Sequence, residues 1–91
     1  MAAPTKEQLI EALKKEVGGS AYGDEIIKEA EATYGDELKK YGFSFKDRLD
    51  VRLGILKAYE RIHKDFGEDA KATAEADKIA IVEKALKAIE A

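Results

Sequence analysis

SFKDRLDVRLGILKAYERIHKDFG, residues Ser44–Gly67, decides how this chain folds. Ser44 with Asp47 three residues on has the form of a capping hydroxyl facing an acid, and Gly67 has the form of a left-handed stop. The stretch between predicts a helix over 45–66. At 100° per residue, its large apolar side chains spread over an arc of roughly 220°, about twice what a surface helix buries. That arc is carried by Phe45, Leu49, Leu53, Leu56, Tyr59, Ile55, Ile62, Val51 and Phe66. Such a helix is expected to touch neighbours on two sides. The reading therefore makes it the third and central helix of a compact all-α, four-helix bundle.

Working outward, a fourth helix is expected over 68–90. Its first half carries Ala70, Ala72, Ala74 and Ala76 next to the turn, and its second half carries Ile79, Val82, Leu86 and Ile89. Small residues let two helices approach near a tight turn, and larger ones fill the space where they diverge. Upstream, Thr5-Lys6-Glu7-Gln8 is a capping box that opens a first helix over 5–17, with Leu9, Ile10, Leu13 and Val17 at helical spacing. Gly18-Gly19 ends it, and Ser20 to Gly23 reads as a connector. A second helix is expected over 24–41, with Asp24 as its N-cap, because Ile27, Ala30, Tyr34, Leu38 and Tyr41 keep helical phase through Gly35. If Gly35 splits that segment, the bundle has five helices. The tetrad Tyr-Gly-Asp-Glu occurs at 22–25 and again at 34–37 with unlike flanks, so it reads as a recurring turn-and-cap preference and not as a duplication.

Within the second segment, Ile26-Ile27-Lys28 with Ala30, followed by Glu37-Leu38-Lys39-Lys40-Tyr41-Gly42, resembles the first helix and turn of bacterial albumin-binding three-helix modules. The resemblance covers residues 26–42. That family's short middle helix has no counterpart, since a helix about twice as long stands there, and no binding surface carries over.

Composition bounds the rest. Ninety-one residues with a net charge of −3 suit one domain, 1–91, and the interleaved signs give no footprint for nucleic acid or anionic lipid. With no cysteine there is no disulfide, thiol chemistry or cysteine-ligated metal. No apolar run reaches the roughly 20 residues of a membrane span, and the N-terminus lacks a signal-peptide layout. The expectation is a soluble monomer consistent with cytoplasmic expression. Tryptophan and asparagine are also absent, Gln8 and Met1 are single occurrences, and alanine, lysine and glutamate dominate. Those residues favour helices by intrinsic propensity. In this style the chain resembles a computationally designed helical protein, which implies a structural scaffold with no enzymatic or other biochemical activity. The internal glycines Gly23, Gly35 and Gly54 depart from an idealised backbone and suit either a chain assembled from natural helix–turn–helix fragments or crossings where backbones approach closely.

The residues that invite a chemical reading are few. Arg48, Arg52 and His63 lie inside the apolar arc. An arginine there can clamp an anion bidentately, or lay its stem on apolar surface and reach a neighbouring acid; the second is expected, because no glycine-rich loop accompanies it. Glu60 and His63 stand at the i, i+3 spacing of di-metal bundles, but that motif is needed twice and there is one histidine. His63, Glu60 and Arg52 are therefore the only candidates for a single-histidine metal or cofactor site, and the expectation is a structural histidine with no metal, no cofactor and no catalytic residue. An antiparallel hairpin about Gly67 would bring Tyr59 level with Glu75, where a hydroxyl could donate to the carboxylate. A helical protein partner is the alternative function, and an extended exposed apolar patch would mark it, because an inert scaffold should show none.

Overall fold

The computed structural model describes residues 5–34, 42 and 44–90. Within them the chain forms four helices and no strand: α1 (Lys6–Val17), α2 (Ala21–Thr33), α3 (Phe45–Asp65) and α4 (Asp69–Glu90). This is the all-α four-helix bundle that the apolar spacing predicts.

Local chemistry sets the helix ends. At the start of α1, the Thr5 amide donates to Gln8 Oε1 at 2.9 Å and the Gln8 amide donates to Thr5 Oγ1 at 3.2 Å. At the start of α3, the Ser44 amide donates to Asp47 Oδ2 at 3.0 Å and the Asp47 amide donates to Ser44 Oγ at 3.1 Å. Both reciprocal boxes satisfy amides that would otherwise lack a partner in the first helical turn.

The second helix differs from expectation at both ends. It starts at Ala21, capped by Ser20, whose hydroxyl accepts from the Gly23 amide at 3.1 Å. Asp24 is not the cap; it sits one turn in and reaches back to accept from the Gly19 amide at 3.2 Å. A Cβ built on Gly23 would lie 1.9 Å from the Val17 carbonyl oxygen, so the turn between α1 and α2 closes only with glycine there. Helix α2 then stops at Thr33, because Tyr34 turns its backbone to ψ 126°. The continuous helix expected over 24–41 is thus corrected to end at Thr33. Gly35 and the residues through Tyr41 lie outside the described residues.

The core joins Leu9, Ile10, Leu13 and Val17 of α1 to Ile26, Ile27 and Ala30 of α2, Phe45 and Leu49 of α3, and Ile79, Val82 and Leu86 of α4. Helix α4 packs against each of the other three, with its most extensive contact along α3. The hub is therefore α4, and the expected central position of the third helix is corrected. Helix α3 buries Phe45, Leu49 and Leu56 but leaves the other side of its arc to solvent. Width of an apolar arc sets how much a helix could bury, and the other described residues supply cover for only half of it.

At the far end, α3 and α4 form a hairpin. The Glu68 amide donates to the His63 carbonyl at 2.8 Å, the Gly67 amide donates to the Lys64 carbonyl at 3.0 Å, and Gly67 has φ 72°. This pair of bonds around a left-handed glycine is the Schellman closure, and it turns the chain directly into α4.

Candidate functional site

The polar residues in the α3 arc find partners within the fold. Arg48 and Arg52, one helical turn apart, both reach Glu29 on α2: Arg48 Nη2 lies 2.7 Å from Oε1, and Arg52 Nη2 binds Oε2. One half-buried carboxylate thus divides its two oxygens between two guanidinium groups, which ties α2 to α3 at the edge of the core. The Tyr22 ring stands between two cations, 5.9 Å from the Arg52 guanidinium carbon and 5.7 Å from Lys78 Nζ. The arginines therefore have the neighbouring acid that their position on the arc calls for. Sequence spacing gives no signal for Glu29 or Tyr22, which lie 19 or more residues upstream of the arginines they meet.

His63 has a local partner. Its Nδ1 is 3.1 Å from Glu68 Oε1, and its ring stacks on Tyr59 with centroids 6.5 Å apart. His63 and Glu68 are also the two ends of the outer Schellman bond, the positions where an apolar contact usually sits. Here a polar pair takes that place. Lys71 Nζ adds a second bond to Glu68 at 2.8 Å, and Lys71 and then His63 hold the Glu68 carboxyl below the ordinary carboxylate range. Glu60, the candidate companion of His63 in a metal site, borders a recess with Lys64 and Ala72. Among the described residues, no three histidine or acidic side chains are grouped to hold a metal ion. Tyr59 and Glu75 do face one groove, as the hairpin register predicts, but Tyr59 spends its contact on His63 and no hydrogen bond joins it to Glu75.

The feature with functional content is the uncovered side of α3. Val51 is 62 % exposed, Ile55 50 %, Tyr59 51 %, Ile62 46 % and Phe66 77 %. These five recur every three or four residues, so they form one ridge, about 22 Å long at 1.5 Å per residue. Their uncovered side chains amount to about 600 Å², the top of the range for the largest apolar patch on a typical monomer. Beside the ridge runs an open groove of about 870 Å³, with Val51, Ile55, Leu56 and Tyr59 along it. Glu29 with the two arginines closes one end, and Glu75 and Lys78 of α4 form the opposite wall. The site is thus an apolar trough with both signs of charge on its rim.

No helix among the described residues is long and apolar enough to cross a membrane. No family model matches the chain, and neither a curated protein nor a solved structure matches it. The groove must be read from its own chemistry.

Proposed function

We propose that this protein is a helical protein–protein interaction module that receives an amphipathic helix along the open face of α3. One observation carries the reading: five large apolar side chains, each about half exposed or more, line a single helical ridge. Single exposed apolar residues are ordinary on protein surfaces, but a contiguous ridge is a cost in water that an inert fold has no reason to bear. Grooves of this shape accept a helix through apolar residues at helical spacing, with rim charges setting direction. The test is selection of binders from a displayed library of amphipathic helices, run at nanomolar protein. Binders should protect the amides of residues 51–66 from hydrogen exchange and lose affinity for Tyr59→Glu. Binders indifferent to Tyr59→Glu would place the interaction elsewhere and refute the reading.

The composition supports a second reading, a designed scaffold whose purpose is the fold itself. No cysteine, tryptophan or asparagine occurs, and strong helix formers dominate. Under that reading, substitutions along the ridge alter stability and nothing else.

A further inference from the structure

If the open face of α3 is a docking surface, as proposed above, its occupant has chemistry that the chain itself specifies. We propose that the occupant is a second copy of this chain, docked antiparallel about a two-fold axis passing beside Ala58 and Tyr59, in place of the monomer that composition alone suggests.

The first support is the thinness of the hairpin that carries the ridge. From Lys57 of α3 to Lys78 of α4, Ala72 is the only buried residue. Two helices with one buried methyl group between them lack the apolar interior that holds helices together elsewhere in the molecule. Two such hairpins laid side by side make four helices around a shared interior, which is the arrangement a short helical pair needs.

The second is the order of the ridge. Val51, Ile55, Ala58, Tyr59, Ile62 and Phe66 are spaced symmetrically about the midpoint between 58 and 59. In an antiparallel pair centred there, Val51 meets the second copy's Phe66, Ile55 meets Ile62, and Ala58 meets Tyr59. Every large apolar residue finds an apolar counterpart, and the small Ala58 receives the largest ring. An isologous contact requires this self-complementarity, whereas a foreign partner does not.

Area and charge agree with that geometry. Complete cover of the ridge on two copies amounts to at most about 1,200 Å², the lower bound for a specific interface, so the rim must also contribute. The arginines nearest the ridge do not oppose one another across the axis as bare charges, because Arg48 and Arg52 share Glu29.

The experiment is sedimentation of the full chain from micromolar to millimolar concentration, with three samples. The unmodified chain should pass to twice its monomer mass. Ile55→Lys and Ile62→Glu should each remain monomeric with unchanged helix content, since both positions are already half exposed. Their equimolar mixture should recover the dimer, because one new Lys–Glu contact and one remaining Ile–Ile contact then face each other. Should either variant lose helix content, Val51→Lys with Phe66→Glu poses the same question. A chain that stays monomeric throughout overturns the proposal, as does a dimer indifferent to the single substitutions or a mixture that fails to recover. A monomeric chain that still binds selected helices through Tyr59 would sink self-association alone and leave the docking face standing.

Discussion

Glu29 is the residue on which the α2–α3 contact turns. Replacing it with glutamine keeps the shape but leaves two partly buried guanidinium groups without their anion. The expected loss is about 1–2 kcal/mol, between the small worth of exposed ion pairs and the larger cost of orphaned buried charge. Urea denaturation of Glu29→Gln against the parent measures it, and no change would mean that water already serves both arginines. Two exposed carboxyls give the acid response. The Ser44 amide and then its hydroxyl hold Asp47 below its ordinary value of 3.8, and Lys71 and then His63 hold Glu68 below 4.5. A carboxyl depressed on folding stabilises fully above its unfolded value and loses that contribution as pH falls through the folded one. The melting midpoint should therefore decline between about pH 5 and pH 2, and more shallowly in Asp47→Asn and Glu68→Gln. At this scale the sequence was half legible. That Arg48 and Arg52 would seek an acid followed from their place in an apolar arc. Which acid did not, because the choice depends on how α2 lies across α3.

Helix ends show the same division. Thr5, Ser44 and Gly67 could be read because a cap is a contact within four residues, and chemistry at that range is fixed by local spacing. Tyr34 could not, since the apolar phase continues past it while the backbone turns away. Ser20 as the cap of α2 is hidden by Gly23 in the first helical turn, which has the form of a connector residue ahead of Asp24. The internal glycines separate by their surroundings. Gly23 lies against the Val17 carbonyl, whereas a Cβ on Gly54 would meet nothing within 4 Å. Gly54→Ala should accordingly stabilise the monomeric chain by roughly 0.5–1 kcal/mol, and Gly23→Ala should destabilise it by more than that. Thermal melts at low concentration distinguish them; equal and opposite shifts from these signs would mean that the α1–α2 turn is looser than its geometry implies.

For the whole molecule, the fold class was legible and the hub was not. Apolar periodicity counts faces that could be buried, and α3 offers two. Only three-dimensional packing reveals that α4, with a narrower stripe, receives all the others. Truncation should follow burial and not hydrophobicity. Leu13→Ala, at a fully covered site, should cost roughly 2–5 kcal/mol. Ile62→Ala, at a half-exposed one, should stay within about 0.5 kcal/mol when measured at concentrations where the chain is monomeric. A loss at Ile62 comparable to that at Leu13 would show that the ridge is covered within a single copy. The uneven cover has a further consequence for motion in α4. Its Ile79–Leu86 half is anchored in the main core, while its Asp69–Ala76 half leans on α3 through little more than Ala72. One uninterrupted helix therefore spans two cooperative units, and its backbone amides should not open together. Amides around Val82 should exchange with solvent only on global unfolding. Those near the Gly67 turn should exchange through a cheaper local opening, so that a helix uniform in geometry is graded in persistence from one end to the other.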